Sequence, residues 1–335
     1  MTPRISWRAG IGLALSVLLL WVAFRDVRWS EVLTAVRGAN ILLVVLAVLV
    51  GNSMFVLRAI RWRPILAPVA PGLPIGTLWR ATAIGMMANN LLPARMGELV
   101  RAFALSRSTT VPFSAAFASL VVDRVFDAVI VLLLLVVSLF DASFPASTLI
   151  LGRPIANWAG SGVIALVVIS LAIYAIIAFP DRLIGLFELF ARRVAPRFEE
   201  RGRVMLRSFA DGLSVFRHFG HFLAVFLWAV AHWLVQALAF WIMFRALGIN
   251  ASFFAALFVQ GAIVLLVSIP STPGFFGPFE IASVAGLHLY GVPESLAAAW
   301  ALSYHILSLI PITVFGLYYL ARSGLHLGDL RELRQ

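Results

Sequence analysis

The residues best suited to chemistry in this sequence are arginines and carboxylates that stand close together near position 95. There the chain reads Asn90-Leu-Leu-Pro93-Ala-Arg95-Met-Gly97-Glu98-Leu-Val-Arg101. Arg95, Glu98 and Arg101 recur at intervals of three, so a half-helix opened by Gly97 could place them on one face. Guanidinium groups bind phosphate in bidentate fashion. The run predicts a phosphate-headgroup site of Arg95, Glu98 and Arg101 with Asn90 beside it, or an internal salt bridge that needs no ligand.

A second group of charges, Asp123, Arg124 and Asp127, interrupts an otherwise apolar run. Ionisable side chains inside a span are costly and usually face the protein interior or a water-filled path. We therefore expect an intramembrane charge network that supports the headgroup site and whose acidic pair could carry a proton. The alternative is a helix that starts later and leaves these charges at the interface. Arg124 stands between the two acids and argues against a bound cation, so no metal site is predicted.

The later part of the chain carries fewer ionisable residues. Glu280 and His305 are assigned to the same charge network, and Tyr304 precedes His305 in the last span. His232 and Gln236, one turn apart, are interpreted as contacts between helices.

Three arginines follow the second apolar run, at Arg58, Arg61 and Arg63, with Trp62 among them. We interpret them as a positively charged anchor with an interfacial aromatic residue. A headgroup-binding role for Arg61 is a secondary expectation.

Glycine and proline interrupt two hydrophobic segments: Pro93 and Gly97 break the first, and Pro273, Gly274 and Gly277 break the second. Irregular backbone at membrane depth is tolerated where it faces protein or a wet cavity. Its free N–H and C=O groups suit a phosphate or an amine. We predict that the two breaks form opposing gates; ordinary interfacial loops between short helices are the alternative.

Composition places these residues in a membrane protein. Of 335 residues, 62% are hydrophobic and only 12% are charged, whereas a soluble domain would carry about twice that charged fraction. The formal net charge is +11, and every basic residue is an arginine. The arginines cluster between apolar runs, which indicates topology and headgroup contact rather than nucleic-acid binding. The sequence has no Cys and no G-x-x-x-x-G-K-[ST] run, so we predict no cofactor.

Apolar runs of 17 residues or more recur, and as helices they are long enough to cross a hydrocarbon core about 30 Å thick. The predicted fold is an all-α polytopic membrane protein with about six full spans and two broken, re-entrant segments. The predicted spans are Ile5–Phe24, Ala39–Leu57, Val111–Phe140, Ile155–Phe179, Phe219–Phe244 and Ser295–Ala321, and the broken segments are Leu78–Leu105 and Phe253–Tyr290.

The order span, span, broken segment, span occurs twice, and the second copy starts on the opposite side. This is the pattern of transporters with inverted repeats. We predict one integral membrane domain, 1–335, with repeats at about 1–145 and 150–325 and a cytoplasmic Arg-rich loop at 180–218. The arginine distribution predicts a bacterial inner-membrane protein with both termini in the cytoplasm.

The motifs around Arg61, Arg95, Asp123 and Glu280 resemble those of a known family. The resemblance is to the transmembrane region of lysylphosphatidylglycerol synthases, a flippase-like family of bacterial and archaeal membrane proteins. It covers nearly the whole chain, and the run Asn-x-x-Pro-x-Arg-x-Gly-Glu-x-x-Arg is its most specific part. Many members continue into a soluble aminoacyl-transfer domain, whereas this chain stops about 14 residues after the last span. The resemblance therefore implies a stand-alone member with a lipid-translocating role and no synthase activity.

The sequence predicts a lipid flippase or transporter rather than an enzyme. Its substrate would be a phospholipid or another phosphate-headgroup lipid, moved on an ion gradient or the lipid gradient itself. One rival is an intramembrane enzyme of lipid or polyprenyl-phosphate metabolism. The other is a scaffold that docks lipid-synthesis enzymes through the arginines between Arg182 and Arg217.

Overall fold

The computed structural model describes residues 7–92, 96–144, 149–150, 152–154, 179–194, 219–268 and 273–324, together with the single positions 164, 167, 168, 171 and 203. These residues are almost entirely helical. The helices are α1 Trp7–Phe24, α2 Trp29–Arg37, α3 Ile41–Leu66, α4 Ile75–Leu91, α5 Gly97–Ser108, α6 Phe113–Ser138, α7 Pro180–Val194, α8 Phe219–Ala246, α9 Phe253–Val267, α10 Pro278–Leu289 and α11 Glu294–Arg322. A 3₁₀ turn covers Pro273–Phe275, and two-residue strands β1 Leu149–Ile150 and β2 Arg153–Pro154 pair in antiparallel fashion.

Local sequence signals set where several helices begin. Asn40 caps α3, since its Oδ1 accepts from the backbone N–H groups of Leu42 and Leu43. Ser252 caps α9 in the same way through Ala255 N. Helices α4, α6 and α11 each begin directly after a proline, whose fixed φ starts a helix without losing a needed donor.

The two central helices, α3 and α8, make the most extensive helix–helix contact of the described chain. Helices α4 and α5 pack together as one hairpin, and α9 and α10 pack together as a second. The long helix that follows each hairpin packs against the opposite hairpin, α11 on α4 and α6 on α9. The core is therefore built from long helices that enclose two short helical hairpins.

The hairpin helices are short for membrane spans. Helix α4, with 17 residues, is at the lower limit of a spanning helix, and α5, with 12, is well below it. Helices α9 and α10, with 15 and 12 residues, have the same proportions. The predicted broken segments are thus two hairpins of short helices. In both halves a long helix is followed by two short helices and then by another long helix. The inverted orientation of the repeat stays a prediction.

Three described helices, α3, α8 and α11, are long and apolar enough to cross a membrane, and α1 and α9 supply shorter apolar stretches. Predicted span four, Ile155–Phe179, falls almost wholly outside the described residues, so the count of six spans stays a prediction. The predicted end of span two at Leu57 is wrong: α3 continues to Leu66 and carries the arginines with it. The Arg-rich stretch is also not all loop, because α7 occupies its first part.

Candidate functional site

A buried ion cluster joins α3 to α6. Arg58 and Arg61 lie one turn apart on α3, and Asp123 and Asp127 lie one turn apart on α6. Arg61 is fully buried and bridges both acids, with Nη2 2.6 Å from Asp123 Oδ1 and Nη1 2.8 Å from Asp127 Oδ1. Arg58 spans the same two acids at 3.6 and 3.4 Å. Matched spacing on two packed helices therefore brings four ionisable side chains together inside the protein.

Helix α5, the second helix of the first hairpin, adds two more charges to this cluster. Arg101 is fully buried, and its Nη1 lies 3.5 Å from Asp123 Oδ2. Glu98 lies 3.7 Å from Arg58 and 3.3 Å from Arg124, and Arg124 Nη2 also lies 3.1 Å from Asp127 Oδ2. We define the cationic cluster as these seven residues of three helices: Arg58, Arg61, Glu98, Arg101, Asp123, Arg124 and Asp127.

Close helix packing fixes the position of α5. Asn89 Oδ1 accepts the backbone N–H of Gly97 at 2.8 Å and so caps the start of α5. A Cβ added at Gly85 of α4 would meet Arg101 Cβ and Gly97 O, each at 2.7 Å. A Cβ at Gly97 would collide with Asn89 and with the Gly85 carbonyl. Two glycines thus let the backbones of the hairpin approach, as small residues do between membrane helices, and this approach holds Arg101 against Asp123.

The aromatic residues around the cationic cluster add further polar contacts to it. Trp233 of α8 donates from Nε1 to Asp127 Oδ1 at 3.0 Å. Trp62 of α3 donates from Nε1 to Ser119 Oγ at 2.8 Å, and its ring lies 4.0 Å below the Arg101 guanidinium. A guanidinium over an indole face is a favourable cation–π contact, stronger when desolvated.

The charges of the cationic cluster do not cancel. Four guanidiniums face three carboxylates, which leaves an excess of one positive charge when all are ionised. Several buried N–H donors also lack a hydrogen-bond acceptor among the described residues, including Nε and Nη2 of Arg101 and Nε of Arg124. Buried donors without an acceptor are costly. The arrangement is therefore suited to accept a further anion.

One side of the cationic cluster is open. The Arg124 side chain is 37% exposed and that of Glu98 is 24% exposed, whereas Arg61 and Asp123 have no exposure. We call the partly exposed side at Arg124 and Glu98 the mouth of the cluster, and Arg61 lies on its fully buried side. Glu98 pairs with Arg58 of α3 and with Arg124 of α6. The predicted pairing of Glu98 with Arg95 stays a prediction, because Arg95 lies outside the described residues.

The second hairpin holds a separate polar pair, Glu280 and His305. Glu280 Oε2 accepts the backbone N–H of Gly277 at 2.6 Å, and Glu280 Oε1 lies 2.6 Å from His305 Nδ1. His305 Nε2 lies 2.7 Å from the Gly274 carbonyl, so Nε2 is the donor there. His305 also stacks on Phe279 with ring centroids 4.1 Å apart.

The predicted network of five residues therefore divides in two. Asp123, Arg124 and Asp127 belong to the cationic cluster, whereas Glu280 and His305 form their own closed pair at the second break. The residues of that break, Pro273, Gly274 and Gly277, form the 3₁₀ turn and the start of α10, with φ of 72° at Gly274 and 98° at Gly277. Such positive φ values suit glycine.

The remaining predicted residues lie near the first hairpin and between the long helices. Asn90 donates from Nδ2 to Thr313 Oγ1 at 2.8 Å, which ties the hairpin tip to α11. Pro93 and Arg95 lie outside the described residues, so the headgroup role of Arg95 stays a prediction. His232 bonds the Met54 carbonyl through Nδ1, and Gln236 donates to the Tyr304 hydroxyl, which are the interhelical contacts expected of them.

The interpretation of Arg58 and Arg61 as an interfacial anchor is wrong. Both residues belong to α3, and their side chains are buried in the protein interior, where the acids of α6 neutralise them. The spacing held a usable signal: two arginines three apart and two aspartates four apart are complementary faces of two helices. Trp233 and Ser119 were missed, since nothing in their local sequence marks them as partners of the cluster.

The fold and this site define an all-α membrane protein with charged residues inside its helix bundle. The chain matches the model of the lysylphosphatidylglycerol synthase TM region over residues 10–316. It belongs to that family.

Relatives agree with this assignment along most of the chain. A "UPF0104 membrane protein" of Methanothermobacter thermautotrophicus is 26% identical over 90% of this chain and 90% of its own length. Another from Pyrococcus horikoshii is 24% identical over 91% of this chain and 93% of its own. The "Glycosyltransferase AglD" of Haloferax volcanii is 37% identical over 127 residues, which is 37% of this chain and 20% of that protein. No solved structure matches the chain significantly.

Proposed function

We propose that this protein translocates a lipid with a phosphate headgroup across the inner membrane and binds that headgroup at the cationic cluster. The observation that carries the proposal is the uncancelled positive charge of four arginines and three acids, with unused donors on Arg101 and Arg124. Arginine donors are shaped for two parallel bonds to phosphate oxygens. A bound phosphate would supply the missing acceptor and compensate the excess charge.

The position of the cluster favours transport over surface binding. Arg61 and Arg101 are fully buried, Asp123 lies well inside α6, and the mouth at Arg124 opens to one side. Charges inside a bundle are expensive and typically mark a substrate or ion path. The first hairpin carries Glu98 and Arg101 on a short helix, so a change in its packing would move both relative to Asp123. A headgroup could pass from the mouth to the far side on such a movement.

The proposal is tested by lipid scrambling in proteoliposomes. Fluorescent phosphatidylglycerol, phosphatidylcholine and lysylphosphatidylglycerol are reconstituted with the purified chain, and a membrane-impermeant quencher reports translocation with and without a proton gradient. We expect flipping of at least one phosphate lipid well above empty liposomes. Arg101→Gln together with Arg124→Gln should reduce it about a hundredfold, the effect of losing two charged hydrogen bonds of about 1.5 kcal/mol each.

A matched control removes the same number of positive charges at a different place in the protein. Arg28→Gln together with Arg37→Gln removes two arginines near α2, far along the chain from the cluster, and should leave flipping unchanged. Flipping that is absent from the wild type under every condition, or that survives the Arg101 and Arg124 changes in full, would sink the proposal.

The enzyme alternative draws support from the partial similarity to a protein named as a glycosyltransferase. It predicts a chemically altered lipid after incubation, which mass spectrometry of the same vesicles would show. A lipid that crosses the membrane unaltered favours the transporter.

A further inference from the structure

A second group of arginines lies at one end of the bundle, away from the cationic cluster. Arg80 near the start of α4, Arg107 near the end of α5 and Arg322 at the end of α11 line a cavity of about 380 Å³. Binding sites for small molecules commonly have volumes of about 300–1,000 Å³. Apolar residues such as Ile84 and hydroxyl groups such as that of Tyr319 complete the lining, and none of the described lining residues carries a carboxylate.

The charges of this arginine pocket are uncompensated. None of Arg80, Arg107 and Arg322 forms an ion pair with a residue that the structure describes. Arg80 donates from Nε to the Gly76 carbonyl at 3.2 Å. Arg107 lies over the Phe103 ring and Arg322 over the Tyr318 ring, each at 5.1 Å. These contacts orient the guanidiniums and use few of the five N–H donors that each carries.

The aromatic residues beside the arginine pocket indicate its position relative to the membrane surface. Trp79 donates from Nε1 to the Tyr319 hydroxyl at 3.2 Å, which leaves the Tyr319 O–H free to donate in turn. Tryptophan and tyrosine concentrate at the level of lipid headgroups. Arg322 lies in the last turn of α11 and Arg107 in the last turn of α5, so the pocket opens where both helices end.

We infer that the arginine pocket binds a phosphate group at the membrane interface, as a site separate from the cationic cluster. Three guanidiniums with no acid among them attract a phosphate mono- or diester, and the apolar floor at Ala81 and Ile84 accommodates the carbon chain beside it. The phosphate could belong to an anionic lipid headgroup or to a soluble phosphorylated compound. The inference does not rest on transport: the pocket would bind in a protein that flips nothing.

Equilibrium binding to the purified full chain in neutral detergent tests this inference. The probes are short-chain phosphatidylglycerol, phosphatidylcholine and soluble glycerol phosphate. Because the chain has ten tryptophans, the local readout is the part of the fluorescence change that is lost in a Trp79→Phe reference protein. The test variant carries Arg80→Gln, Arg107→Gln and Arg322→Gln. The control variant carries Arg25→Gln, Arg28→Gln and Arg37→Gln, which removes the same charge around α2. We expect about tenfold weaker phosphatidylglycerol binding in the test variant only.

Binding at this exposed pocket should also weaken when salt rises from about 0.05 M to about 0.5 M, because exposed charges are screened. If glycerol phosphate competes at concentrations similar to the lipid, the ligand is a soluble phosphate compound; if only the lipid binds, it is a headgroup. The inference is overturned if phosphatidylglycerol and glycerol phosphate bind equally well to wild type and test variant, or if the control variant weakens their binding as much as the test variant does.

Two further variants separate outcomes that would otherwise coincide. Arg101→Gln changes the cationic cluster and keeps the arginine pocket, so the Trp79 response to phosphatidylglycerol should persist even if transport is lost. Should the triple variant misfold, Arg322→Gln alone, in the exposed last turn of α11, is expected to weaken binding about threefold or more. An unchanged affinity in that folded variant also counts against the inference.

Discussion

The two helical hairpins have similar lengths but differ in how the charged groups that they carry are compensated. The first, α4–α5, brings Glu98 and Arg101 to a cluster whose positive charge exceeds its negative charge and whose mouth is open. The second, α9–α10, brings Glu280 to a histidine and a backbone N–H, and every acceptor and donor of that pair is used. The two hairpins therefore differ in how completely their buried polar groups are satisfied, and the proposed ligand site lies at the less satisfied one.

The largest effect should come from removing an acid of the cationic cluster. Asp127→Ala leaves Arg61 and Arg58 with one fewer carboxylate and removes the acceptor of Trp233 Nε1. An uncompensated buried charge costs about 3–5 kcal/mol. Thermal unfolding in detergent should show this loss, while Asp26→Ala, in an exposed pair, should change stability by less than about 0.5 kcal/mol. A near-neutral Asp127→Ala would mean that the cluster does not support the fold.

The Glu280–His305 pair should behave as one unit. Either Glu280→Ala or His305→Ala leaves a buried polar partner unsatisfied and should cost about 2–3 kcal/mol. The double variant should be scarcely less stable than either single one, with a coupling of about 1–3 kcal/mol in a double-mutant cycle. Additive losses would show that the second hairpin does not depend on this contact.

The helices of the first hairpin should tolerate an added methyl group at their contact less well than those of the second. Gly85→Ala places a Cβ 2.7 Å from Arg101 Cβ and should cost about 1–3 kcal/mol. Gly286→Ala in α10 meets Val259 Cγ2 at 3.2 Å and should cost less than about 1 kcal/mol. Both are measured by thermal unfolding, and the reverse order would contradict the packing described here.

The smallest expected effect concerns Asp141, which ties the end of α6 to the start of the second hairpin. Burial raises the pKa of Asp141, but hydrogen bonds from Ser252 and Ser143 outweigh it and hold the pKa below its ordinary value. A depressed pKa stabilises the fold above about pH 3.9 and loses that contribution as pH falls through the native pKa. Since Asp141 is partly exposed, the contribution should be below about 1 kcal/mol.

The measurement for Asp141 is unfolding of wild type and Asp141→Asn between about pH 7 and pH 3. The stability difference between the two proteins should be present at the upper pH and vanish at the lower one. A difference that grows on acidification would reverse the assigned sign.

Local sequence predicted the helices and the breaks more readily than the interaction partners of the charged residues. Gly97 and Gly277 do begin short helices, and Asp123 and Asp127 do lie inside a long one. These features depend on backbone preferences and on the apolar run around each charge, which the sequence displays directly.

The partners of those charges depend on contacts between helices that are distant in sequence. Arg58 and Arg61 looked like the end of a span because their neutralising acids stand more than 60 residues away. Glu280 and His305 looked like members of one network with Asp123. Within the part of the chain that the structure describes, they bond to each other and to the backbone of Gly274 and Gly277. Charge alone does not reveal which helix packs beside it.

The most direct test of the contrast between the hairpins is headgroup selectivity during translocation. The ratio of phosphatidylglycerol to phosphatidylcholine flipping is measured for wild type, for Arg101→Gln with Arg124→Gln, and for Glu280→Gln. We predict a preference for the anionic lipid that falls about tenfold in the arginine variant and is kept in Glu280→Gln, whatever the absolute rate of that variant. A preference that survives the arginine changes, or that disappears with Glu280→Gln, would contradict the proposed role of the cationic cluster.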